Sequence, residues 1–356
     1  MTKSYLTWLR AATAASLVVF TAACGDDSPT GPNGPSGDPF DPEQSNQEFG
    51  AFQGAFDANA DLAAEIAVVT AALDTLAPTG SARLYQPVDV PAEPAMLRVI
   101  RTTRFSGSSA GSAQPLLPAD VLGKTFEWDE TENGYVASEA TGAPANGVRF
   151  VIYDRTSVPF VANGFLDVTD DSDAAADRVG VHMEKDGVVR LDYDIAATQT
   201  TSSLSVSVAG YVSDGTQRVD FDVTETATET VDGFRVNLDY GLSLAGQPIS
   251  VDYAFVINFG ETLTADIVAT FVNGVNELVI DLSQAGDGSL TGSVEWNGAL
   301  VMTVTDDGNG EPVFLGAGGD PVTPEEAVAI QQMFELAEEA VFFLVSNLFF
   351  LGSSLS

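Results

Sequence analysis

The chain has 356 residues, and 14 basic against 51 acidic side chains give it a net charge of −37 at neutral pH. Nucleic acid and anionic lipid surfaces are poor partners for so acidic a protein. One cysteine and one histidine exclude an internal disulfide framework and a zinc site of the usual ligands.

Lys3 and Arg10 give the chain a positive start, and residues 11–23 carry no charge. That 13-residue apolar stretch is too short to cross a bilayer as a helix, which takes about 20 residues. Residues 1–23 therefore read as a signal peptide, left out of the fold. Thr21-Ala22-Ala23-Cys24 closes the segment. It resembles the lipobox of bacterial lipoprotein precursors, with Thr21 where leucine is usual. The resemblance implies that Cys24 is lipidated and becomes the new N-terminus. It also implies that the membrane is a partner through that anchor, at the bacterial cell envelope and foremost the outer membrane, on its periplasmic or surface side. The plainer alternative is an ordinary cleaved secretory signal with a chance cysteine.

Residues 25–45 are dominated by glycine, proline, serine and aspartate, with Phe40 the one large apolar side chain. Such a stretch cannot bury enough surface to fold. With Cys24 it forms a disordered tether over 24–45, spanning roughly 25 Å on average. Ser45 and Glu48 then stand at capping-box spacing. Phe49, Phe52, Phe56, Leu62, Ile66, Val69, Leu73 and Leu76 follow at helical intervals, with Asn59 the one gap in the stripe. This pattern predicts a core-facing amphipathic helix or helix pair over 46–77, with Gly50, Gly54 and Asn59 as its weak points and Pro78 as its stop. Residues 96–105 read as a strand carrying Arg98, Arg101 and Arg104. A Gly/Ser loop follows, and Pro115 and Pro118 keep the next stretch irregular.

Apolar and polar residues then alternate for more than a hundred residues. Val189, Leu191, Tyr193 and Ile195 are separated by Arg190, Asp192 and Asp194, which gives an extended strand one dry and one wet face. The same period recurs at Val219/Phe221/Val223, at Val251/Tyr253/Phe255/Ile257 and onward to Met302/Val304. Asp186-Gly187, Asp214-Gly215, Asn273-Gly274 and Asn297-Gly298 punctuate the run. Such dipeptides accept the positive φ of tight hairpins, and short hairpins join antiparallel neighbours. About ten strands are predicted over 179–304, after four earlier ones at 125–128, 135–138, 148–153 and 165–169. At the far end, Thr323-Pro324-Glu325-Glu326 is a strong helix start. The helix is predicted over 324–351 and becomes apolar nearly all round from 341 on.

The expected fold is mainly β. It is a large curved antiparallel meander or barrel-like sheet, packed on the apolar C-terminal helix and the N-terminal one, in a single β-rich domain over 46–356. After Arg235 the chain has no lysine or arginine.

Four motifs bear on chemistry. The acidic runs Asp167/Asp170/Asp171/Asp173 and Asp306/Asp307/Asn309/Glu311 offer the oxygens that calcium takes, though neither has EF-hand order. Gly107-Ser108-Ser109-Ala110-Gly111 fits a nucleophile elbow, which needs a helix after the serine. Pro115 and Pro118 oppose that helix, and His182, the one candidate base, is placed facing out between the core residues Val181 and Met183. Gly123-Lys124-Thr125 echoes the end of a P-loop without its first glycine. No catalytic residue, metal ligand or cofactor is assigned, and Cys24 is the one site. The expected function is a non-enzymatic binding or structural role at the cell envelope. A carrier of apolar ligands or lipids is the alternative. A transmembrane β-barrel is the structural rival, and it would leave the apolar C-terminal helix without a home.

Overall fold

A side chain on a pleated strand faces opposite ways at successive positions, so period-two alternation buries one side of each strand and wets the other. The computed structural model describes residues 117–308 and 312–323, apart from Arg155, Ser157 and Val158, together with Gly50, Gly54, Leu62, Ile66, Val69 and Ala72. The described part is mainly β. Its strands are β1 (Thr125–Asp129), β2 (Gly134–Ser138), β3 (Gly147–Asp154), β4 (Val161–Asp170), β5 (Asp177–Lys185), β6 (Val188–Gln199), β7 (Ser203–Ser213) and β8 (Arg218–Thr230). They continue with β9 (Gly233–Leu244), β10 (Ile249–Phe259), β11 (Leu263–Asn273), β12 (Asn276–Gln284), β13 (Leu290–Trp296), β14 (Ala299–Asp306) and β15 (Val313–Gly316). The ten strands expected over 179–304 are β5 to β14, and the four expected before them are β1 to β4.

From β3 to β15 the strand order is the chain order; at the other end it runs β3-β1-β2. The order has two ends, β15 and β2, so the sheet is not closed as a barrel-like reading would have it. It is also mixed, not purely antiparallel, because β1 pairs with β3 in parallel, Thr125 opposite Arg149 and Phe126 opposite Phe150. The physical reason is that β2 folds back on the outside of β1. Residues 130–146 then form a crossover long enough to return the chain in the same direction.

The strands fall into two compact units. One holds β1 to β8 and the last residues of β9. Its antiparallel pairing runs from β3 to β8, with register shifts at Ile152/Tyr153 and Met183/Glu184. Val181, Met183, Leu191, Tyr193, Val208, Val212, Val219, Phe221 and Val223 are buried on its dry face. The other unit holds the greater part of β9 with β10 to β15, and buries Val251, Tyr253, Ile267, Phe271, Ile280, Val294 and Met302. Burying each large side chain of this kind contributes about 1.5–3 kcal/mol, which is why the alternation fixes the register. The Asp-Gly and Asn-Gly breaks fall between consecutive strands, save that Asn273 is the last residue of β11. At Asp186-Gly187 and Asn297-Gly298 both residues have positive φ (53° and 76°, 51° and 73°), the geometry that matches the twist of a two-residue hairpin.

The six described residues of 46–77 are all helical. Gly50 and Gly54 are exposed and are themselves helical. Leu62, Ile66 and Val69 are buried. The rest of that helix, the strand expected at 96–105, the helix expected at 324–351 and the packing of both helices on the sheet lie outside the described residues. So do the signal, Cys24 and the tether. Among the described residues no helix is long and apolar enough to cross a membrane.

Candidate functional site

The wet face of β3 to β8 carries a dense polar arrangement that the register brings together. One cross-strand row reads Arg149, Asp167, His182, Asp192, Tyr211 and Asp220, one residue from each of six neighbouring strands. Directly opposed side chains of this kind lie close enough to interact. Arg149 donates Nε to Oδ1 and Nη2 to Oδ2 of Asp167, both at 2.7 Å. The guanidinium also lies 3.7 Å over the Phe165 ring, whose centroid is 6.0 Å from that of His182. His182 Nδ1 is 3.7 Å from Asp192 Oδ2. Farther along, Arg218 lies 3.7 Å over the Tyr211 ring and donates Nε to Asp220 Oδ1 at 2.8 Å.

The hydrogen bonds that it donates to Asp167 raise the pKa of the Arg149 guanidinium above its usual value. Asp167 itself is only 8% exposed. The pair is therefore charged, bidentate and half withdrawn from water, the geometry in which an arginine fork is strongest. A second row follows, with Thr169, Gly180, Asp194 and Ala209 in register. The space above Gly180 is closed in by Thr169 Oγ1, Asp171 Oδ2 and Asp194 Oδ1, which lie 2.5, 3.3 and 3.4 Å from where a Cβ would stand. Partial burial, then the like charges of Asp192 and Asp171, raise the pKa of the Asp194 carboxyl. Beyond it the rows turn to hydroxyls, with Ser205 and Thr226 side chains 3.0 Å apart.

Each sequence candidate can now be placed. His182 faces out, as expected, between Val181 and Met183, both buried. Asp167, which belongs both to the strand expected at 165–169 and to the acidic run, is a residue of β4, held by Arg149. Asp170 ends β4, and Asp171 and Asp173 lie in the connection that follows it. Asp170 accepts from the Ser172 amide, and Asp173 accepts from the amides of Ala175 and Ala176. Asp171 accepts from Thr169 Oγ1 and Asn146 Nδ2. Asp306 accepts from the Gly308 amide, and Asn309 and Glu311 lie outside the described residues. Among the described residues no group of three or more His, Cys, Asp or Glu is arranged to hold a metal ion. Lys124 and Thr125 lead into β1 where a P-loop needs a helix. Ser109 and its glycines lie outside the described residues.

The residue that sequence reasoning passed over is Glu225. It occupies an odd position of β8, in line with Val219, Phe221, Val223 and Ala227, on the dry face. The signal was there to read: an acid in a slot where the alternation calls for an apolar side chain. No family model, curated protein or solved structure matches this chain.

Proposed function

We propose that this chain is a lipid-anchored extracytoplasmic protein, held at the bacterial envelope through Cys24, that binds or scaffolds through the polar face of its sheet and does not catalyse a reaction. The observation that carries this reading is the row from Arg149 to Asp220. Its charged groups are matched laterally, strand to strand. Such a surface is electrostatically patterned, which suits recognition more than bond making. The apolar leader, the lipobox-like Thr21-Ala22-Ala23-Cys24 and the tether over 25–45 supply the location. A transmembrane barrel has to close on itself, and a strand order ending at β2 and β15 does not favour one.

In this reading the helices over 46–77 and 324–351 cover the dry faces and fill the core. The burial of Leu62, Ile66 and Val69, spaced i, i+4 and i+7, supports it. One observation favours the carrier reading instead. The Tyr240 hydroxyl is buried on the dry face with no hydrogen-bond partner among the described residues, a group that the head of an apolar ligand would satisfy. Native mass spectrometry of the protein from its own host separates the two. The mass of the lipidated chain alone supports the scaffold. A stoichiometric apolar molecule beyond the covalent anchor overturns it.

A further inference from the structure

The wet face of β10 to β13 is not wholly polar. Val256, Val268 and Val279 alternate with the buried residues of their strands, so they stand on the side away from the dry face. Val268 is 36% exposed, and the other two are half-buried. The register sets each valine directly opposite an acid on the next strand. Val256 faces Asp266, Val268 faces Asp281 and Val279 faces Glu295. Ala254 stands opposite Val268, and Thr270 opposite Val279, so each pair is displaced by one rung of that face from the pair before it. Two parallel lines therefore cross the strands diagonally, one of three valines and one of three acids, with about 7–8 Å between successive positions. Asp266 and Asp281 are exposed, and Glu295 is half-buried. The chain has no lysine or arginine after Arg235, and its one histidine is His182, so no base on β10 to β15 matches the acidic line. A single exposed valine is ordinary. Three in line, beside a matching line of acids, make an apolar stripe with a charged rim, the form that a docking surface takes.

We propose that this face docks a basic, amphipathic polypeptide. The partner lays aliphatic side chains along Val256, Val268 and Val279, and lysines or arginines along Asp266, Asp281 and Glu295. Charge complementarity selects that occupant. A second copy of this chain brings the same acids against these, and nucleic acid or an anionic lipid surface brings phosphates, so like charges oppose in each of those cases. None of these residues belongs to the row from Arg149 to Asp220, so this docking is additional to the binding read from that row.

The test uses the full chain and two synthetic probes: a lysine–leucine peptide in amphipathic helical order, and the same peptide with serine for every leucine. Binding is followed by the valine methyl signals of the protein in NMR and by titration calorimetry. The lysine–leucine peptide is expected to shift the methyls of Val256, Val268 and Val279 and to leave those of the buried Val251 and Val294 in place. The serine peptide is expected to bind roughly tenfold more weakly. In Asp266→Asn/Asp281→Asn/Glu295→Gln the affinity for the lysine–leucine peptide falls roughly tenfold, three exposed ion pairs contributing a factor of about two each. Glu130→Gln/Glu132→Gln/Glu139→Gln removes the same charge from exposed residues of the other unit and binds as the wild type does. An equal loss in the two variants overturns the proposal, because the attraction is then to net charge alone. Equal affinity for the two peptides overturns it too, because the valines then contribute nothing. The methyl shifts need no variant, and shifts confined to other valines place the peptide elsewhere and overturn it. So does a shift of the three methyls when the protein is concentrated alone, which makes a second copy the occupant.

Discussion

Replacing Arg149 by methionine removes the guanidinium and keeps most of the stem. Asp167 then loses two charge-assisted hydrogen bonds of 2.7 Å, and Phe165 loses the cation over its ring. Breaking one partner of a fully buried ion pair costs about 3–5 kcal/mol, because the other charge is stranded. Here the side chains of Arg149 and Asp167 keep 22% and 12% of their exposure, so water relieves part of the penalty. The expected loss is about 2 kcal/mol. With a urea dependence of about 2 kcal/mol per molar, the unfolding midpoint falls by about 1 M. The double variant Arg149→Met/Asp167→Leu strands no charge and recovers most of that loss. A single variant as stable as the wild type refutes the argument, as does a double variant no better than the single one.

Three further outcomes are expected. Glu225 has a pKa raised from 4.5 to about 7 in the folded chain, so the stability that comes from its neutral form is complete below about pH 4.5 and is lost as pH rises toward 7. Glu225→Gln is therefore more stable than the wild type by about 3 kcal/mol at pH 8 and nearly equal to it at pH 4, as read from urea midpoints at the two pH values. Gly210→Ala places a Cβ 2.2 Å from the Asp192 carbonyl oxygen and 2.3 Å from Tyr193 Cβ; it costs about 2 kcal/mol by overpacking, measured in the same way. Deleting residues 324–356 lowers the melting temperature of the whole protein if that segment covers the dry face, and an unchanged cooperative melt contradicts the proposed packing.

What could be read from the sequence follows from the range of the interactions involved. The strands β5 to β14 are legible because alternation is local, and each Val, Leu or Tyr declares its face two residues at a time. The same logic placed His182 on the wet face. β15 was not foreseen, because Val313–Gly316 is four residues long and half exposed, too short to show a period. The parallel pairing of β1 with β3 is a choice between neighbours 24 residues apart, and no local pattern encodes it. Asp167 was grouped with the acids that follow it because they are adjacent in sequence. Its real partner, Arg149, is 18 residues away and is found through the β3–β4 register. Glu225 is legible in principle, as the one buried acid on the apolar side of β8, two positions beyond the run of Val219, Phe221 and Val223.

The central claim is that the chain is anchored to the envelope through Cys24. Metabolic labelling with a fatty acid in the native bacterial host, on the wild type and on Cys24→Ala, tests it most directly. Label is expected on the wild type, with the N-terminus at Cys24, and none on the variant, which accumulates as the unprocessed precursor. Label that persists on Cys24→Ala, or a wild type that carries none, contradicts the account.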